Sequence, residues 1–314
     1  MEEKNNGLSR RAALGLGAAS VAALAAGCAA AKPAGTSPSR APGATATASP
    51  GGAGASSGQQ TGTSSAGPSA GPDATASAQQ MLSRATVPVL CYHQVREWTS
   101  KDSDYNRSSL IVPPKNLAAQ LDGLLQAGYT FITPDDYWTH LQTGQGLPAK
   151  PVLLSFDDGK DNQVLAALPM VVERKIKATF FVMTVILGNP GWLSKDDVKR
   201  IADAGMTIGG HTWDHHPVTK YTGTDWSTQI NKPRELLRKV SGQEVLDFAF
   251  PYGAWNAAAL PHIKSAGFRD AYQLADKPTD AAEPQYTLRR YLANSSWDAK
   301  SIVAALAKDA AKTH

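Results

Sequence analysis

Two short segments gather the side chains best suited to chemistry. In the first, the apolar run PVLLSF (151–156) passes directly into Asp157, Asp158 and Gly159, setting two carboxylates side by side at the end of a strand whose earlier residues read as buried. Neighbouring residues of an extended chain point in different directions, so one carboxylate can take a metal while the other addresses an attacking water. A bare Asp-Asp-Gly is common in turns. Its place at a strand end is informative, because a buried charge is costly unless a metal or proton partner compensates. The second segment, GGHTWDHHP (209–217), holds three of the chain's seven histidines. Catalytic zinc commonly takes three ligands from His and Asp or Glu and keeps a fourth position for water. Asp158, His211 and His215 would form such a set, with His216 as the rival for the last place.

Both segments need rigid elements behind them. Strands read at 87–92, 130–132, 151–156, 177–183, 206–210, 247–250, 268–272 and near 286–292. Helical patterns fall at 117–128, from Pro134, at 163–174, 194–204, around 228–240, at 256–266 and at 298–310. Leu117, Leu121, Leu124 and Leu125 share one helical face, and Ser194 opens its helix as an N-cap. Apolar strands separated by amphipathic helices predict an α/β fold with a parallel sheet covered by helices. With little sequence left over, closure into a distorted (β/α) barrel of seven or eight strands is the economical form. Working residues of such folds stand at the carboxyl ends of strands, where both segments fall.

SFDDG (155–159) and HTWDH (211–215), in this order and in these strand contexts, resemble the two metal motifs of the polysaccharide deacetylase family, the metal-dependent carbohydrate esterases with a nodulation-type deacetylase domain. KATFFV (177–182), GYTFITPDDY (128–137) and FPYG (250–253) extend the resemblance over nearly all of residues 86–292. It implies Asp157 as catalytic base and Asp158, His211 and His215 as ligands of one divalent metal, Zn2+ with Co2+ or Ni2+ as alternatives. It also implies Tyr252 as an oxyanion donor through its backbone N–H and as an aromatic face for substrate. FAFPYG (248–253) departs from the family pattern, because Ala249 stands where an arginine usually orients the base. The usual carboxy-terminal Leu-x-His motif for the general acid is missing as well. VLCYHQV (89–95) instead resembles the Tyr-His segment of the branch that deacetylates poly-N-acetylglucosamine, which makes His93 the candidate acid. That branch also keeps His216 open as the alternative to His215.

With Ala249 in place of the arginine, another cation is expected at Asp157. Arg290 shares an alternating face with Leu288 and Leu292 and would be costly to bury without an anion; Arg269 is the second choice. Trp213 and Trp255, with Trp192, lie near predicted strand exits, where they could stack on sugar rings. The implied activity is metal-dependent hydrolysis of N-acetyl groups from a cell-wall or extracellular N-acetylglucosamine-containing polysaccharide, releasing acetate. An O-acetyl xylan esterase would keep nearly the same site. A catalytically inactive glycan-binding lipoprotein would keep only the groove, and the intact Asp157 and triad weigh against it.

Other classes lack their signatures. G-x-S-x-G occurs at 54–58 and 67–71, both inside the Gly/Ser-rich stretch without a strand before or a helix after to make a nucleophile elbow, and no glycine-rich phosphate cradle occurs. A formal net charge of +4 without a dense Lys/Arg run disfavours nucleic acid as a partner. Two cysteines, Cys28 and Cys91, cannot build a disulfide framework, and Cys91 reads as a small hydrophobe of the first strand. The protein is expected to be a monomer. Arg10, Arg11, the apolar run from Ala12 to Ala26 and LAAGC (24–28) resemble a bacterial export signal with a lipidated Cys28. Between Ala29 and Gln80 there is no Leu, Ile, Val, Met, Phe, Tyr or Trp. Such a segment has little to offset an ordering entropy of about 1–2 kcal/mol per residue. The expected organisation is an export signal over 1–28, a disordered linker over 29–80 and a deacetylase domain over 81–314. The lipid anchor would hold the chain on the outer face of the bacterial cytoplasmic membrane, or it is otherwise at the cell surface or extracellular.

Overall fold

The structure is a computed structural model that describes residues 76–274 and 277–310. The expected export signal, Cys28 and the linker up to residue 75 lie outside the described residues. In chain order the strands are β1 (Val89–Tyr92), β2 (Gln94–Val95), β3 (Ile111–Val112), β4 (Thr130–Phe131), β5 (Pro151–Asp158), β6 (Thr179–Val182), β7 (Thr207–Gly210), β8 (Asp247–Ala249), β9 (Asp270–Tyr272) and β10 (Tyr291–Leu292). The helices are α1 (Ala78–Arg84), α2 (Pro114–Gln126), α3 (Pro134–Thr143), α4 (Leu168–Glu173), α5 (Lys195–Asp203), α6 (Lys232–Ser241), α7 (Leu260–Ser265) and α8 (Ala299–Ala310). No helix among the described residues is long and apolar enough to cross a membrane.

One curled sheet runs in the order β10, β1, β5, β6, β7, β8, β9, with every neighbouring pair parallel and β4 added beside the start of β5. Its two edges meet through the last segment. Leu288 bridges to Tyr272 of β9, while Tyr291 and Leu292 pair with Leu90 and Cys91 of β1. The fold is a distorted (β/α) barrel. Each strand carries apolar residues on both faces, and their period of two divides them between two cores. Val89, Leu153, Phe181, Ala249, Tyr272 and Leu288 form the core inside the barrel. The alternate residues Leu90, Leu154, Phe180, Val182, Phe248 and Ala271 pack outward, with Leu117, Leu121 and Leu124 of α2 and Val198 and Ile201 of α5 in the same core. Gly209 lets β7 come close, because a Cβ there would meet the Phe181 ring.

Helix starts follow their caps. Thr133 accepts from the Asp136 N–H and Ser194 from the Asp197 N–H, each in a reciprocal capping box. Several predicted boundaries differ. The linker expected to end at residue 80 gives way earlier, because Ser77 caps α1 and Met81 is buried in the inner core. The helix expected at 163–174 begins as a π-helical turn over 163–167 before α4, and the one at 256–266 shortens to α7. The pair β2 and β3, flanking a loop with a π-helical turn at 106–110, was not anticipated, since two-residue strands carry no readable period.

Candidate active site and metal centre

β5 delivers Asp157 and Asp158 to the carboxyl end of the barrel, and the two residues part company there. Asp157 keeps the inward direction of Leu153 and Ser155 and is buried. Asp158 turns into the left-handed region at φ 77°, which swings its carboxylate toward the loop after β7. Its Oδ1 lies 3.4 Å from His211 Nε2 and 3.3 Å from His215 Nε2. Thr212 and His215 also have positive φ, at 66° and 68°, and the Thr212 hydroxyl accepts from the His215 N–H at 2.9 Å. These unfavourable backbone positions bend HTWDH so that both imidazoles converge, and positive-φ outliers of this kind cluster at functional sites. His216 does not converge: it is exposed and pairs with Asp214 at 2.8 Å.

The residues fit a metal. Asp158 Oδ1 and His211 Nε2 are buried without a hydrogen bond, and ligand atoms of Asp158, His211 and His215 lie within 4.8 Å of one another. Donors bonded at about 2.0–2.1 Å to a tetrahedral ion stand about 3.3 Å apart, matching the Asp158–histidine spacings. His211 Nδ1 lies 2.7 Å from the Ala249 carbonyl, which can only accept, so Nδ1 carries a proton and Nε2 faces the site. Burial works against a charged His211, yet Asp157 and Asp158 outweigh it and raise its pKa; the field that does this suits a cation. Burial, reinforced by His211, lowers the His215 pKa to about 4, so its imidazole is neutral at neutral pH, the form that ligates.

Asp157 has a different partner. Arg290, buried and projecting inward from the segment that closes the barrel, donates from Nη1 to Oδ1 at 2.6 Å and from Nη2 to Oδ2 at 2.7 Å. Burial alone would favour the neutral acid, but the guanidinium overrides it and holds the carboxyl well below the usual carboxylate range. The Cys91 thiol donates to Oδ2 at 3.4 Å. Arg269 is elsewhere, bound to Asp135 and Asp247. His93, Cys91 and Asp157 have ligating atoms within 4.8 Å of one another, which puts His93 beside the aspartate pair.

A cleft of about 570 Å³ opens over these groups, within the usual range for ligand sites. His93, Asp157, Asp158, His211, His215, Arg290 and Tyr252 line it. Tyr252 is left-handed at φ 59° and its ring meets His215 edge-on at 4.4 Å. Trp213 and Trp255 do not line this cleft. Trp213 borders a separate depression with Lys232 and Pro233. Trp255 packs against the outer core, its indole N–H donating to Gln273 at 2.9 Å, and Trp192 lies under the Lys160 ammonium. The aromatic walls come instead from Tyr105, Tyr291 and Trp297. Tyr105 caps the π-helical turn at 106–110 and Trp297 sits on a loop, and the composition of neither stretch gave a directional signal.

Comparisons with known proteins agree with this geometry. Residues 144–271 match the family described as polysaccharide deacetylase. YxkH of Bacillus subtilis, whose name places it among the polysaccharide deacetylases, is 25% identical over 206 residues, covering 66% of this chain and 71% of that one. The poly-beta-1,6-N-acetyl-D-glucosamine N-deacetylase of Staphylococcus aureus is 26% identical over 195 residues, 58% of this chain and 67% of its own. Among solved structures, IcaB from Ammonifex degensii superposes with a TM-score of 0.58 at 27% identity, covering 71% of this chain and 97% of that one. With an Asp/His/His set beside a second aspartate at the carboxyl end of a distorted barrel, the chain carries a polysaccharide deacetylase domain.

Proposed function

We propose that this protein removes N-acetyl groups from an N-acetylglucosamine-containing polysaccharide of the cell wall or extracellular matrix, releasing acetate. The observation that carries the reading is the Asp157–Arg290 chelate beside the Asp158, His211 and His215 set: a carboxylate kept ionised and aimed, next to a site for a cation. A divalent metal held by those three residues, zinc by the chemistry of the donors with cobalt or nickel as alternatives, supplies Lewis-acid polarisation of the acetyl carbonyl and acidifies water.

The chain's own groups do the rest. Asp157 takes a proton from the water whose oxygen bonds to the acetyl carbon, and Arg290 keeps its carboxylate oriented throughout. The Tyr252 N–H donates to the carbonyl oxygen as it gains charge. His93 gives a proton to the sugar nitrogen as the C–N bond breaks, so acetate and a free amine leave. Tyr105, Tyr252 and Trp297 offer apolar faces to sugar rings. The match to a poly-N-acetylglucosamine deacetylase favours a glucosamine-type polymer. Acetate release from poly-N-acetylglucosamine, peptidoglycan, chitin and acetylxylan, before and after chelation, tests this. Release from an N-acetylated polymer that stops on chelation is expected; release from acetylxylan alone would make the protein an O-acetyl esterase.

We propose further that the chain is exported and held at the outer face of the cytoplasmic membrane through lipidated Cys28, acting there as a monomer. Mass spectrometry of the native amino terminus tests this: a lipid on Cys28 is expected, and an exported chain with an unmodified Cys28 would remove the anchor.

A further inference from the structure

We propose that Gln163 is a positioning residue that ties together the two proton-transfer residues of the cleft. The inference rests on the reading of Asp157 as base and His93 as acid. Gln163 opens the π-helical turn 163–167 and is fully buried. Its Nε2 donates to the His93 carbonyl at 2.8 Å and to the Asp157 carbonyl at 2.5 Å. His93 follows β1 and Asp157 lies near the end of β5, and the last pair in the register of these strands is Tyr92 with Phe156. One residue beyond that pair the ladder no longer sets the spacing of the two chains. The two hydrogens of a single planar amide take over, each held by one of the carbonyls.

Three further observations separate this from ordinary packing. Gln163 Oε1 is buried without a hydrogen bond, a cost that an apolar side chain of similar size would avoid. The neighbouring Asn162 reaches the same segment, its Oδ1 accepting from the Val95 N–H at 2.7 Å. The His93 ring has its Nδ1 buried without a hydrogen bond, so no hydrogen bond at that nitrogen fixes the ring.

The test uses the full-length, metal-loaded protein and two substitutions. Gln163→Met keeps the volume without the donor, and Gln163→Asn keeps an amide one methylene too short. Misplacing reacting groups by about 1 Å costs about 100-fold, so kcat is expected to fall about 10- to 100-fold while KM stays within about twofold. Bound metal should be unchanged, and crystal structures of the variants should show the carbonyls of 93 and 157 moved apart. A folded, metal-loaded variant with wild-type kcat overturns the proposal, as does a lower melting temperature with kcat intact, which would leave Gln163 a packing residue. If Gln163→Met does not fold, Gln163→Asn decides. Failure of the activity reading looks different: wild type itself releases no acetate from any polymer. The variant structures then decide alone, and unmoved carbonyls at 93 and 157 overturn the tie.

Discussion

Arg290 gives two adjacent aspartates different work. Asp157 has both oxygens on the guanidinium, whereas Asp158 has its Oδ1 between two imidazoles. Removing the arginine leaves a buried carboxylate without its counter-charge, so Arg290→Met should cost about 3–5 kcal/mol of stability in denaturant unfolding. Activity should fall with it, and Arg290→Lys should restore little, since an ammonium cannot grip both oxygens. A variant lacking Arg290 that is as stable as wild type would contradict the pairing. The histidines give a second expectation: metal analysis should find His215→Ala empty and His216→Ala loaded, and the reverse would hand the ligand role to His216. Much of this was legible in the sequence. SFDDG and HTWDH announce themselves by residue type and spacing, and Arg290 by its alternation with Leu288 and Leu292. Trp213 and Trp255 misled because a lone aromatic near a strand exit carries no direction. Gln163 carried no signal, because its task is set by two backbone carbonyls that no side-chain pattern reveals.

At the scale of elements, apolar runs located the strands, and their inside-outside alternation is what places Asp157 and Arg290 within the barrel. The π-helical turns and the β2–β3 pair were not legible, since an extra residue in a turn leaves no compositional mark. Nor were the acids that begin β8 and β9. Asp247 and Asp270 are paired in register, both buried, with Arg269 donating to Asp247 at 3.0 Å. Burial first, and then the Asp247 charge, pushes the Asp270 carboxyl well above the usual range, so the folded state holds a proton that the unfolded chain releases. The sign follows from that difference. This contribution is fully present below the ordinary carboxylate pKa and is lost as pH rises through the raised folded value. Asp270→Asn, which mimics the protonated acid, should therefore flatten the fall in melting temperature as pH rises above the ordinary carboxylate pKa. Parallel curves for wild type and variant across pH would show that Asp270 is ionised in the fold.

At the scale of the molecule, the barrel has a working end and a closed one. α1 and the residues after it seal the inner core: Met81 and Val87 pack with Tyr137, Leu141 and Leu288, and Arg84 donates to the Leu141 carbonyl at 2.8 Å. Composition placed the start of the folded part a few residues late, because Ser77 and Gln80 look like linker residues until their side chains cap a helix. Met81→Ala should cost about 2–5 kcal/mol in unfolding without changing bound metal; an unchanged stability would mean that α1 is not part of the core. At the working end, a metal set and a separate, arginine-held base would have to act together, and this joint action can be measured. It is tested most directly by measuring bound metal and acetate release on the same preparation of full-length Asp157→Asn. Wild-type metal content with acetate release reduced about 100-fold or more is expected, since the lost step is proton transfer and not coordination. Near-normal turnover by the metal-loaded variant would contradict it.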